Sequence, residues 1–318
     1  MRLPALFSVP GDALAGTAAA GAAPNARTLL AIGSSLCLYE AGMALNDWAD
    51  LGVDAVERPE RPLPSGRVRP AAALTAACAL TGAGLALAAR AGRPALAVAA
   101  PLAATVWAYD LGLKHTPAGP VAMGAARGLD LLLGAAATTG RTRPAVPSAA
   151  LLGTHTLAVT TVSRQEARGG TPLAPLAALA ATALLTRRMA YRPAPPAHGP
   201  GTPTGDRPRT GPTGRHGHRD TEAPLTTAPT GHPGRPQPAG FLTTALAAAY
   251  AVSTARPYFH AALNPSPPLT QRAVGAGIRA TIPLQATLAA RAGGPVPAIL
   301  IAALAPLGAR FAKKVSVT

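Results

Sequence analysis

The chain is predicted to be an all-α, polytopic transmembrane helical bundle of about nine helices, with ten possible. Three observations carry that prediction. Long runs rich in alanine, leucine and valine contain few charges, and no strand-period alternation persists anywhere. The sequence is 48% hydrophobic and only 13% charged over 318 residues. Amphipathic helices with a charged face, the mark of a soluble helical domain, are missing from the pattern.

Ten apolar segments follow one another, at 5–22, 27–47, 70–90, 94–113, 117–137, 148–165, 172–189, 240–256, 270–290 and 295–311. Each approaches the roughly 20 residues that a helix needs to cross the hydrocarbon core. The first lacks a convincing signal-peptide cleavage pattern and reads as a retained helix carrying Asp12. The second ends at Asn46 and Asp47, and the third and fourth follow a Pro-rich turn. Cys37 and Cys78 fall in apolar segments without zinc or redox spacing and read as packing residues. The fifth segment holds Arg127 and Asp130, three residues apart and so able to pair on one helix face. Either they satisfy each other inside the bundle, or they face a substrate. Arg272 and Arg279, seven apart on the ninth segment, also share a face.

Residues 191–239 interrupt the series. They contain twelve prolines and eight glycines, a composition that cannot bury a core and predicts a disordered loop. The chain thus divides into a membrane domain at 1–190, this loop, and further helices of the same domain at 240–318. His198, His216, His218 and His232 lie in the loop without acidic or cysteine companions at metal-binding spacing.

Charge narrows the functional classes. The formal net charge of +16 comes from scattered arginines, and aromatic residues make up only 3%, so a nucleic-acid partner is not expected. Of ten acidic residues outside the loop, Glu40, Asp47, Asp50, Asp54, Glu57 and Glu60 fall between positions 40 and 60. On a continuous helix at about 100° per residue, Asn46, Asp47, Asp50 and Asp54 lie within about a quarter-turn arc. Three carboxylates and an amide on one face suit a hard cation such as Mg²⁺, which keeps waters and bridges to phosphate oxygens. A solvated acidic helix end is the plainer alternative.

Asn46 to Gly66 reads NDWADLGVDAVERPERPLPSG. This run resembles the first signature of the UbiA superfamily of intramembrane prenyltransferases, NDxxDxxxD followed by RPxRPLPSG. The opening Arg2–Asp12 is similar to the family's first-helix start. Tyr109-Asp110-Leu-Gly-Leu-Lys114 resembles the end of its fourth helix, and Gly119–Gly134 its fifth. The pattern is similar to a divergent bacterial, EboC-like branch. The resemblance implies transfer of a prenyl group from a polyprenyl diphosphate to an aromatic or other small acceptor, with Mg²⁺ assistance. It also implies Asn46, Asp47, Asp50 and Asp54 as metal ligands. Asp50, Asp54, Tyr109 and Lys114 would be catalytic, and Arg58 and Arg61 would meet the diphosphate beside Lys114. Tyr109 would steady an allylic cation through its ring face. Tyr109 and Lys114 also fit interfacial anchors at a span end. Arg127 and Asp130 would face the acceptor.

One departure stands out. The family's second aspartate-rich motif is replaced by Thr161-Val-Ser-Arg-Gln-Glu-Ala-Arg-Gly-Gly170. Glu166 remains as a possible metal ligand, and Arg164 and Arg168, four apart, as phosphate partners. Two readings stay open: a transferase with an altered second motif, or a non-catalytic UbiA-like membrane protein that binds or moves a lipid-linked compound. The expected location is the cell membrane, multi-pass, with the active-site loops cytoplasmic by resemblance and membrane lipid as surroundings.

Overall fold

A computed structural model describes residues 8–166, 170–192, 237–238 and 240–315, with side chains of the last helix described to residue 306. It is helical throughout apart from one two-residue strand pair. The helices are α1 (Val9–Ala19), α2 (Ala26–Ala49), α3 (Leu51–Glu57), α4 (Pro70–Ala91), α5 (Arg93–Leu111), α6 (Gly119–Thr139), α7 (Val146–Ser163), α8 (Leu173–Ala190), α9 (Phe241–Leu263), α10 (Pro267–Arg291) and α11 (Pro295–Val315). Each of the ten apolar segments corresponds to one helix, and α3 is the addition. Five helices, α2 and α4–α6 together with the segment Arg143–Ser163, are long and apolar enough to cross a membrane.

Local chemistry sets the boundaries. Proline occupies the first or second position of α1, α4, α5, α6, α7 and α10, where its missing N–H is not needed. Asn25 starts α2 through a capping box with Thr28, and Gly140 ends α6 in the left-handed conformation, φ 72°. Alanine and leucine between these signals favour the helix strongly. Tyr191–Arg192 pairs antiparallel with Gln237–Pro238, so the loop predicted from 191 to 239 begins and ends in a short ladder. Its histidines, at 198, 216, 218 and 232, lie outside the described residues.

With alanine-rich faces, the helices pack backbone against backbone. α1 lies against α6 so closely that a Cβ on Gly134 would sit 2.3 Å from the Ala13 carbonyl oxygen. Gly124 of α6 and Gly153 of α7 oppose each other, each hypothetical Cβ within 3 Å of the other's carbonyl. The Ser34 hydroxyl donates to the Gly84 carbonyl at 2.7 Å and joins α2 to α4. One apolar cluster centres on α1, α7, α10 and α11, and a second on α2, α4, α5 and α6. Cys78 is exposed on the outer face of α4, a correction to its expected packing role; Cys37 is half-buried.

Gly134→Ala should lower the stability of the detergent-solubilised protein by about 1–3 kcal/mol, because the added methyl overpacks a backbone contact. Gly82→Ala, whose Cβ would meet nothing within 4 Å, should not. Thermal unfolding midpoints of the two variants provide the comparison.

Candidate active site

The acidic motif occupies the end of α2 and the start of α3. The backbone bonds from Asp50 N–H to Asn46 and from Asp54 N–H to Asp50, 2.9 and 2.8 Å, carry the helical course across the break at Asp50. The C-terminal end of α2 carries a partial negative charge of its own, so acids placed there call for cations. Two arrive. Lys114, in the 3₁₀ turn Leu113–His115 after α5, places its ammonium 2.5 Å from Asp50 Oδ1. The Pro-rich turn folds Arg61 back to donate to Asp54 Oδ2 at 2.5 Å, with Asp47 at 3.9 Å from the same nitrogen. The side chains of Lys114 and Asp54 are only 9% and 5% exposed, whereas that of Asp47 is 34% exposed. Lys114 is therefore a buried ion-pair partner. Arg58 caps the end of α3 with its side chain exposed, its backbone N–H donating to the Asp54 carbonyl at 2.8 Å.

Asn46 turns its amide to Asp110 Oδ1 at 3.1 Å, and Asp110 is itself buried in α5. Behind this pair a mainly apolar cavity of about 310 Å³ runs between α2, α5 and α6, lined by Leu38, Tyr39, Met43, Val106, Tyr109 and Met123 among others. A second cavity, about 280 Å³, shares Tyr109 and Met123 with the first. Its walls are more varied: Ser8, Arg127, His155, Thr156, Thr160, Ser163 and Thr281 bring hydroxyls, a cation and an imidazole to one space. Tyr109 thus stands between the two cavities.

Arg127 does not form the pair with Asp130 that their spacing predicts. Its guanidinium crosses to α1, 2.9 Å from Asp12 and 2.7 Å from the Ser8 hydroxyl. Asp130 accepts instead from the Ser35 hydroxyl of α2. Gln285 of α10 completes the network, its amide 2.5 Å from Asp12 Oδ1 and 2.8 Å from the Ser8 carbonyl. Four helices, α1, α2, α6 and α10, thus share what the spacing placed within one. His155 lies between the Tyr250 hydroxyl (3.1 Å) and the Gly277 carbonyl (3.0 Å). Only Nε2–H can satisfy that carbonyl, so Nδ1 accepts from Tyr250 and both ring nitrogens are committed.

At the end of α7, Arg164 donates to the carbonyl of Thr116 and approaches that of His115, holding this helix end against the turn that carries Lys114. Glu166 is half-buried beside it, and loss of solvent raises its carboxyl above the ordinary range. Arg168 lies outside the described residues.

Mg²⁺ must be weighed against this donor set. Among the described residues no three His, Cys, Asp or Glu side chains converge as a preformed metal cage. Mg²⁺ rarely uses one; it takes one or two carboxylates and completes its octahedron with phosphate oxygens and water. Partly exposed Asp47 and Asp50, neighbours at the mouth, fit that mode. Asp110, His155, Met123 and Ser35 were not singled out as site residues from the sequence. For Asp110 a signal existed, since an acid in an apolar span marks a functional site by default. For the others none did.

Residues 9–191 match the family model described as UbiA prenyltransferase family. The chain belongs to the UbiA prenyltransferase family. It is 39% identical over 98 residues to a digeranylgeranylglyceryl phosphate synthase of Methanopyrus kandleri, covering 31% of this chain and 36% of that protein. Synthases of the same name from Methanothrix thermoacetophila and Ignicoccus hospitalis are 37% and 36% identical over 112 and 115 residues. These cover 35% and 36% of the UbiA-family chain and 42% and 38% of the relatives, so the match spans about two fifths of the curated proteins. The fold extends further. The apo structure of a UbiA homologue from Aeropyrum pernix K1 superposes with a TM-score of 0.59 at 18% identity, covering 89% of this chain and 96% of that one. A structure from work on digeranylgeranylglyceryl phosphate synthase in membranes gives 0.55 at 15% identity, covering 90% and 92%. The architecture is that of a multi-pass UbiA membrane protein.

Arg127→Met should destabilise the protein by about 3 kcal/mol, because it strands the Asp12 carboxylate in the bundle. Adding Asp12→Asn should recover part of that loss. Unfolding of the single and double variants in one detergent tests the coupling.

Proposed function

We propose that the protein is an integral-membrane prenyltransferase that moves a prenyl group from a polyprenyl diphosphate to the hydroxyl of a phosphate-bearing acceptor, with Mg²⁺ assistance. The observation that carries this reading is the pair of cavities that share Tyr109 and Met123, one opening beside the Asn46–Asp110 pair of the acidic motif. The apolar cavity suits the isoprenoid tail. The second, with its hydroxyls and Arg127, suits a polar acceptor. Family membership supports prenyl transfer, and the relatives' names, which specify a glyceryl phosphate product, favour such an acceptor over an aromatic ring.

The chemistry follows from charge. The bond between the prenyl C1 and the diphosphate oxygen breaks, and its electron pair stays with the diphosphate. Lys114 and Arg61 stand where they can donate to that departing group, Arg61 with the forked geometry that phosphate favours. Mg²⁺, when held by Asp47 and Asp50, with Asn46, Asp54 and Glu166 as further candidate ligands, would supply further neutralisation of the leaving group. Tyr109 presents its ring to the allylic carbon that becomes positive, and the walls around it exclude water. The acceptor oxygen then forms the new C–O bond, and its proton passes to an oxygen of the departing diphosphate. His155, with both nitrogens engaged, orients the chamber wall and is not the base. Arg164 and Arg168 would add positive charge at the rim, Arg58 at the mouth, and Arg127 with Asp130 behind the acceptor. The loops bearing this site would face the cytoplasm.

Asp50→Asn and Asp54→Asn should each reduce prenyl transfer by about 10²-fold or more, since each removes charge that holds the leaving-group cations. Transfer from labelled C10 to C45 diphosphates, by purified protein with Mg²⁺ and lipid-extract acceptors, measures this. Diphosphate binding without product in the parent protein would instead favour a carrier of lipid-linked compounds, a reading to which the already paired Asp50 and Asp54 also lend themselves.

Glu166 gives a pH test. Its raised pKa keeps it protonated to higher pH than an ordinary glutamate. If its carboxylate assists catalysis, the rate should fall on the acidic side as pH drops through that raised value. In Glu166→Gln the acidic limb should flatten and the plateau should drop. An unchanged profile removes Glu166 from the site.

A further inference from the structure

A second concentration of positive charge lies away from the acidic motif. Arg256 and His260 in the last turns of α9 and Arg272 in the second turn of α10 line a cavity of about 250 Å³, together with Pro257 and Leu269. All three basic side chains are exposed. In the active site, Arg61, Lys114 and Arg127 are each bound to a carboxylate. Among the described residues no acid pairs with Arg256 or Arg272. The first turn of the 25-residue α10 contains no acid and its N-cap makes no side-chain hydrogen bond, so the positive end of that helix adds to the field. One flank of the pocket is apolar: Phe259 and Leu263 of α9 are 49% and 70% exposed.

The pocket is separate from the acidic motif but lies at the same end of the bundle. Gly170 N–H donates to the Pro265 carbonyl at 3.3 Å, tying the α7–α8 connection to the α9–α10 turn. Arg164 ties the same end of α7 to the turn carrying Lys114. A cavity with two guanidiniums free of acidic partners and an imidazole has the chemistry of a phosphate receptor, and the exposed Phe259 and Leu263 side chains beside it have the chemistry of an acyl-chain surface.

We propose that the Arg256–His260–Arg272 pocket seats the phosphate of an anionic membrane lipid, whose chains lie along Phe259 and Leu263. The two arginines share the phosphate oxygens, and His260 adds a hydrogen-bond donor. The shared chemistry is a phosphate group, and a free phosphate is the competing source.

The test uses the full chain in uncharged detergent, titrated separately with dihexanoyl phosphatidylglycerol, dihexanoyl phosphatidylcholine and inorganic phosphate, with binding followed by thermophoresis. Phosphatidylglycerol should bind saturably and more tightly than phosphatidylcholine. Arg256→Gln/Arg272→Gln, and to a smaller degree Arg272→Gln alone, should weaken it by about tenfold or more. Arg187→Gln/Arg188→Gln, at the opposite end of the bundle, should bind as the parent does. Equal binding of the two lipids, or an unaffected double variant, overturns the proposal. So does inorganic phosphate binding as tightly as phosphatidylglycerol and displacing it, which assigns the pocket to free phosphate.

Discussion

A carboxylate inside an apolar bundle must meet a cation or take up a proton, because desolvating a lone charge costs far more than a helix contact returns. Three ion pairs meet that demand and set much of the architecture around them. Asp50 holds Lys114, which fixes the turn after α5 against the end of α2. Asp54 holds Arg61, which folds the Pro-rich segment back over the motif. Asp12 holds Arg127, which ties α1 to α6 in the interior. Local sequence alone would leave the Pro-rich turn and the turn after α5 free to drift from the motif. With the pairs in place, the acids become a defined rim and the helices behind them enclose two cavities.

Alanine gives those cavities their setting. A bundle built from small side chains gains little from burying individual residues in lipid and gains more from bringing backbones close, as α1 does against α6 and α6 against α7. Close packing at the glycines leaves space wherever long side chains hold helices apart. Tyr39, Met43, Tyr109 and Met123 are such side chains, and they line the apolar cavity. Prolines within α5, α9 and α10 each remove a backbone bond and loosen the regular ladder, and Pro257 borders the basic pocket.

Much of the fold was legible because it rests on local signals. Ten apolar segments became ten helices, since length, alanine content and Pro or Gly punctuation are local properties. The acidic motif was legible for the same reason, its residues lying within nine positions. What escaped was long-range partnership. Arg127 and Asp130 sit at pairing distance in sequence, yet Arg127 prefers Asp12, 115 positions away, because α1 packs into α6 and delivers a more deeply buried acid. Asp110 and Lys114 straddle a helix end, and nothing local says that one faces Asn46 and the other Asp50. The cavity wall formed by Tyr109 and Met123 depends on how α5 and α6 meet, which no periodicity encodes.

The coexistence of tight ion pairs and a metal-dependent reading has a physical resolution. Acids at a helix C-terminus would spread apart without counter-charge, so Lys114 and Arg61 keep the carboxylates close while the site awaits its substrate. On the proposed function, an arriving diphosphate offers these cations oxygens at least as negative as the carboxylates they hold. Lys114 and Arg61 can then transfer hydrogen bonds to the phosphates, and Asp47 and Asp50 would be the carboxylates to hold a divalent ion that neutralises the leaving group. The exchange is nearly balanced in charge, so it avoids exposing an unpaired group at any stage. Asp47, with 34% of its side chain exposed, is the most open to solvent of the three acids. It is therefore the carboxylate best placed to begin that exchange, ahead of the deeply buried Asp54.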